Sequence, residues 1–374
     1  MTRARIPVCE PSLDGNELAY VTDAVTSGWI SSGGEYLKRF EDGFAAYVGV
    51  GHGIGTTNGT TALHLALAAL GVGPGDEVIV PDFTMISSAF AVCYCGAMPV
   101  FIDADPDTWN MDVARVADRI GPRTKAIMAV HIYGHPTDMD PLLALAKDRG
   151  IAVLEDAAEA HGAEYKGRRC GSIGALAAFS FYANKAITTG EGGMVVTNDE
   201  ALAEECRSLR NLAFPRTGGR VYRHDRIGFN YRMSNVQGAL GLAQLERIDT
   251  YVAARRSHAT RYSEQLANVA SVQLPVERPW ARNSYWMFGL VLRDGAPISR
   301  DELASRLAGE GIETRPFFQP MHGQPALLRY GTATAGSYPV ADRLGARGLY
   351  LPSGSGLTDD DIDRVCGQIA KELS

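Results

Sequence analysis

The sequence predicts an α/β fold: a mostly parallel central sheet with helices on both faces, followed by a smaller C-terminal α+β domain. Short apolar runs with polar ends recur along the first part of the chain, and helical stretches lie between them. Strands alternating with helices at this spacing call for a parallel sheet covered on both faces. From Ser234 onward the pattern changes to a long 3.6-residue periodicity and then to a shorter mix of strand and helix.

Taken in order, TALHLALAAL (61–70) reads as a helix and DEVIVP (76–81) as a strand entering a loop. MPVFID (98–103) and AIMAV (126–130) are two more strands. DPLLALAKDRG (140–150) is a helix, and IAVLED (151–156) a strand ending in two carboxylates. LAAFSFY reads as a buried strand, followed by Lys185 and a turn with glycines at 190, 192 and 193. The segment starting at Ser234 has a capping serine and reads as one long helix with a break near Asp249. WMFGLVL (286–292) is a strand, ISRDELASRLAGEG (298–311) a capped helix and TDDDIDRVCGQIAKEL (358–373) a terminal helix. The expected organisation is a large domain over 1–248, with an N-terminal arm, and a small one over 249–374.

The 374 residues are 45% hydrophobic and 21% charged, ordinary for a globular protein with a sizeable core. A net charge of −7 without a basic block argues against nucleic acid and anionic membranes as partners. The six cysteines form no C-x-x-C pair, so reduced thiols are expected. MTRARIPVCEPSLDG lacks an apolar signal core, and no run approaches a membrane span, so a cytoplasmic location is expected.

Three features carry chemistry. In TTNGTTALHLAL (56–67) a polar turn opens directly into an apolar helix, whose first N–H groups lack intrahelical partners. With the helix dipole they suit an anion, although an ordinary capped helix would look the same. Glu155 and Asp156 end a strand where ligands of parallel sheets bind, although an aspartate there also starts helices. Lys185 follows a strand end and precedes a glycine turn, where partial desolvation would make it a nucleophilic amine. An anion cradle, an acid and an amine are what pyridoxal phosphate requires: for its phosphate, its ring nitrogen and its aldehyde respectively.

SGWISSGGEYLKRFE, NGTTALHLAL, GDEVIVPDFT, AVHIYGHPTDMD, LEDAAEAHGA, SFYANKAITTGEGGMV, FNYRMSN and RPFFQPMHGQP occur in this order. With them the chain resembles the sugar-nucleotide aminotransferases of the DegT/DnrJ/EryC1/StrS group over roughly residues 6–370. The resemblance implies the aspartate aminotransferase fold (fold type I) and pyridoxal 5'-phosphate as cofactor, with pyridoxamine phosphate carrying the amino group between half-reactions. It implies that Lys185 is the covalent attachment point and that Asp156 faces the pyridine nitrogen. Gly59, Thr60 and Ser180 would hold the phosphate, Ala158 would lie against the ring and Glu159 would approach its 3-hydroxyl. Asn235 is expected to reach the phosphate from a neighbouring subunit, which implies a homodimer with shared active sites. Two positions depart from the group's pattern. Met85 stands where many relatives have a stacking aromatic, and its sulfur can still pack on a ring. Glu159 stands where many have Gln or His; beside a phenolate it is either protonated or paired with a neutral form.

The implied reaction moves an amino group from L-glutamate, leaving 2-oxoglutarate, to a nucleotide-linked keto-deoxysugar. HIYGHPTDMD, the glycine turn and RPFFQPMH point to the branch that aminates GDP-4-keto-6-deoxy-D-mannose at C4 to GDP-perosamine. The alternatives are a dTDP- or UDP-linked or C3-keto sugar and, in another class, an inactive regulatory protein of this fold. Arg315, Phe318 and His322 in the Pro-rich loop, with Tyr222, His224 and Arg232, are candidates for sugar-nucleotide contact. His131 and His135 have the spacing of a helical metal pair, but Gly134 and Pro136 disfavour a helix there, so no metal is expected.

Overall fold

The structure, a computed structural model, describes residues 5–214, 222–332 and 336–373. Nine strands precede residue 198 among the described residues: β1 (His52–Thr56), β2 (Glu77–Pro81), β3 (Met98–Ile102), β4 (Thr124–Val130), β5 (Ala152–Asp156), β6 (Glu164–Tyr165), β7 (Arg168–Arg169), β8 (Leu176–Ser180) and β9 (Gly193–Thr197). Seven of them form one sheet in the order β1-β9-β8-β5-β4-β2-β3. From β8 to β3 every neighbour is parallel, and β9 is antiparallel to both β1 and β8. The hairpin β6–β7 pairs instead with Ala281–Arg282.

Helices α1 (Glu17–Thr26), α2 (Glu35–Val48), α3 (Gly59–Ala69), α4 (Ser87–Tyr94), α5 (Met139–Arg149), α6 (Glu200–Arg210), α7 (Asn235–Leu245) and α8 (Ile248–Leu266) accompany the sheet. Successive side chains of a strand point to opposite faces, and the layers sort accordingly. Val78, Val80, Met128, Leu154 and Ala178 pack with Leu63 and Leu65 of α3 and Val92 of α4. Their neighbours Ile79, Ile127, Ala129 and Val153 pack on Leu142 and Ala146 of α5. Ala177, Phe179 and Val196 pack on Phe40 and Phe44 of α2. Each fully buried side chain of this size contributes about 1.5–3 kcal/mol. The same alternation puts Asp156 on the α3 face with Leu154, and Glu155 on the opposite face with Val153.

A second, antiparallel sheet joins Val272–Gln273, Gly289–Leu292, Gly348–Tyr350 and Arg315–Pro316 in that order. Its core unites Tyr262 and Leu266 of α8 with Leu303 and Leu307 of helix Arg300–Gly309 and Ile362, Val365 and Ile369 of helix Asp359–Leu373. Ile6 bridges to Ile312 and packs in this same core, so the first described residues lie with the C-terminal elements. The long helix expected from Ser234 is two helices, separated at Glu246 and Arg247. Ser234 caps α7, its hydroxyl accepting from the Gln237 amide while the Gln237 side chain accepts from the Ser234 amide. Trp286–Phe288 precede the strand expected over 286–292, which starts at Gly289.

Candidate active site

The carboxyl ends of β4, β5 and β8 meet the start of α3 and a loop of the second sheet at a cavity of about 500 Å³. This is where ligands bind in open α/β sheets. At one end stands the capping box of α3: Asn58 Oδ1 accepts from the Thr61 amide at 2.9 Å, and Thr61 Oγ1 accepts from the Asn58 amide at 3.1 Å. The first-turn amides of Gly59 and Thr60 have no partner within the helix and face the cavity's polar end. Ser180, ending β8, and Thr60, whose hydroxyl donates to Ser87 at 2.9 Å, add hydroxyls there. A Cβ on Gly59 would lie 2.8 Å from Ser180 Cβ, so only glycine lets the helix start rest on that strand end.

Asp156 is 5% exposed. Its Oδ2 accepts from Ser88 Oγ at 2.8 Å and its Oδ1 from the Ala158 amide at 3.2 Å. Burial nonetheless holds its proton affinity above the usual carboxylate range. No cation pairs with it among the described residues, and a buried carboxylate calls for one. Lys185 is part-buried, its side chain 10% exposed, and desolvation pushes its amine down from the ordinary lysine value. Its Nζ lies 3.7 Å from Glu159 Oε1 and 3.6 Å from the centre of the Trp286 ring. Glu159 accepts from the Tyr133 amide at 2.8 Å, and burial raises its carboxyl to about 7.

Of the other predicted residues, Met85, Ala158 and Phe318 line the cavity, Met85 at 46% exposure. Tyr222, His224, Arg232 and Arg315 do not line it. The His224 ring donates to the Leu212 carbonyl at 2.9 Å, Arg232 bonds Asn211 and Arg315 bonds Glu313. Asn235 is buried, and within the single chain its side-chain amide accepts from the Leu37 amide and donates to the Trp29 carbonyl. His322 is likewise occupied outside the cavity: its ring bonds Asp82 at 2.7 Å and stacks on Tyr338 at 4.7 Å.

Four residues here were not among those expected: Ser87 and Ser88, a few residues beyond the GDEVIVPDFT stretch, and Trp286 and Tyr350 as walls. Glu155 is sorted from Asp156 as a loop anchor, accepting from the amides of Gly171, Ile173 and Gly174 and from His131 Nε2. His131 Nδ1 accepts from the Thr137 amide, so its ring proton sits on Nε2. Among the described residues no group of three metal-ligating side chains occurs.

A helix-start anion cradle, a buried acid without a cation partner and one desolvated amine, gathered round a single cavity, define an enzyme of the pyridoxal-phosphate class, and the residues present fit that cofactor. The chain belongs to the DegT/DnrJ/EryC1/StrS aminotransferase family, whose model matches residues 11–370. It is similar to GDP-perosamine synthase of Caulobacter vibrioides, 48% identical over 99% of this chain and 98% of that protein. GDP-perosamine synthase of Escherichia coli O157:H7 is 45% identical over 97% of each. Among solved structures, S. venezuelae DesV matches with a TM-score of 0.89 and 38% identity, covering 96% of this chain and 94% of that one. The chain is therefore an aminotransferase with the fold its motifs implied.

Proposed function

We propose that this aminotransferase moves the amino group of L-glutamate to C4 of GDP-4-keto-6-deoxy-D-mannose, giving GDP-perosamine and 2-oxoglutarate with pyridoxal 5'-phosphate as cofactor. The observation that carries the substrate is identity of 45–48% over nearly the whole chain with two GDP-perosamine synthases. The cofactor, when bound, supplies an electron sink for the pair left at the donor's α-carbon.

The protein's own groups supply the rest. The α3 amides with Ser180 and Thr60 hold a phosphate. Asp156, whose charged form accepts from Ser88 and the Ala158 amide, would hold a proton at the ring nitrogen. Lys185 would anchor the cofactor, and its amine, once released, would take up and return the proton of the donor's α-carbon, a task that suits an amine with lowered proton affinity. Glu159 faces Lys185 at 3.7 Å, an ion-pair distance. Trp286, Phe318 and Tyr350 wall the cavity and keep water from the reacting atoms.

A homodimer with shared sites belongs to this reading. Leu18, Trp29 and Ile30 are large, apolar and at least half exposed, as a self-association surface would be in one isolated chain. Tyr222, His224 and Arg232, which do not line their own chain's cavity, would face the sugar nucleotide of the neighbour.

The test incubates the enzyme with glutamate and a panel of nucleotide keto-sugars, with products identified by mass and NMR. Amination of the GDP-linked 4-keto sugar at C4 is expected; a C3 product, or turnover of dTDP- or UDP-sugars alone, would overturn the substrate. Lys185→Ala should lose the visible band of bound cofactor and lower turnover by about 10⁴-fold or more. Wild-type protein that stays colourless with added cofactor would favour the regulatory alternative.

A further inference from the structure

Arg255 lies on α8, the helix that leads from the first sheet to the second, and is 3% exposed. A charge so buried normally has an ionic partner. Among the described residues no carboxylate reaches it. Its Nη1 donates to the carbonyls of Trp286 and Ser353, each at 2.7 Å, and its Nη2 approaches the Lys185 carbonyl and Cys9 Sγ, each at 3.5 Å. Its Nε is buried without a partner. One guanidinium thus ties the lysine's own backbone to the backbone of the ring that the lysine amine lies on. The indole N–H of Trp286 closes the circuit by donating to the Asn184 carbonyl at 2.8 Å.

We propose that Arg255 is a positioning residue for Lys185: anchored on the carbonyls of three segments, it holds the lysine loop against the Trp286 ring and places an uncompensated positive charge behind the amine.

The charged groups facing Lys185 come from the end of β5 and from α8. Burial opposes a protonated amine most and Arg255 adds to it; Glu159 and Asp156, just beyond and at the end of β5, favour it. The nearby His161 ring is itself pushed down to about 3 by burial and takes no part as a cation. Without Arg255 one of the two influences that oppose the carboxylates is lost, and the balance shifts toward the protonated nitrogen. Neutral donors would serve to satisfy carbonyls alone. The charge is what a purely structural role does not need.

The inference rests on Lys185 being the cofactor's attachment point. The experiment loads full-length wild-type protein and the variants R255K, R255Q and R255M with pyridoxal phosphate and titrates the visible absorption of each with pH. The midpoint reports the proton affinity of the Lys185 nitrogen and is independent of turnover. R255Q and R255M are expected to raise the midpoint by about one pH unit, a tenfold change in proton affinity. R255K, which keeps the charge, is expected to stay within a few tenths of wild type. Unmoved midpoints in R255Q and R255M would overturn the proposal whatever their turnover, and so would a shift in R255K as large as in R255Q. If R255M does not fold, R255Q and R255K alone decide. A wild-type protein that binds no cofactor would instead refute the reading of Lys185.

Discussion

Ser88→Ala isolates the ionisation of Asp156. Ser88 is fully buried, and its hydroxyl donates to Asp156 Oδ2 at 2.8 Å while Thr84 Oγ1 stands 3.2 Å behind it. Since Ser88 gives its proton to the carboxylate, Thr84 is the donor in the second bond, and the chain of donors polarises toward Asp156. A hydrogen bond to a charged group is worth about 1.5–3 kcal/mol net. At 1.36 kcal/mol per pH unit, losing it raises the Asp156 proton affinity by about one to two units. Burial already pushes that affinity up, so the variant adds to the existing direction. The active form is the ionised one. The acid limb of kcat/KM should therefore move to higher pH by about one to two units, with activity recovering toward alkaline pH. Ser88→Cys, a weaker donor, should fall between. The assay is amino transfer from glutamate across the pH range, with circular dichroism to verify folding. A loss that is equal at every pH, with the acid limb unmoved, would refute the reasoning.

Glu159→Gln bears on stability. The Glu159 carboxyl is raised from 4.5 to about 7, so its contribution is fully present below about 4.5 and is lost as pH rises through about 7. Wild type should lose roughly 3 kcal/mol relative to Glu159→Gln between about pH 4 and pH 8 in denaturant melts of cofactor-free protein; parallel curves would disprove it. Gly59→Ala forces a Cβ to 2.8 Å from Ser180 Cβ, an overpacking worth about 1–3 kcal/mol, and should weaken cofactor binding about tenfold or more in a fluorescence titration. His322→Ala leaves the fully buried Asp82 without its ring partner and should cost about 1–3 kcal/mol of stability, with KM for the sugar nucleotide changed less than about twofold. A large rise in KM at unchanged stability would return His322 to the substrate.

Five strands of the main sheet were legible because each is a largely apolar run, and the residues at their ends follow from where such runs stop; the glycine-bearing β1 and β9 were not read as strands. Lys185 and Asp156 stand at those ends and could be read from one chain. Asn235, at the start of α7, and His322 have partners far away in sequence, Trp29 and Leu37 for the first and Asp82 for the second. Nothing local in SNVQG or MHGQP shows that those polar groups are already satisfied. Arg255 was hidden differently: on a periodic helix an arginine reads as solvated, and its carbonyl partners at 185, 286 and 353 leave no side-chain signature. The break between α7 and α8, expected near Asp249, falls at Glu246 and Arg247.

Adjacent carboxylates on β5 do opposite work because they face opposite ways, Glu155 gripping the turn at 171–174 and Asp156 entering the cavity. A strand repeats every two residues, so these duties cannot drift gradually into one another. Inserting or deleting one residue upstream would exchange them at a stroke, delivering the turn's anchor to the coenzyme and the coenzyme's acid to the turn. Length changes in this part of the chain are thus admissible only in pairs or outside the strand, a parity rule imposed on its descent by the pleat.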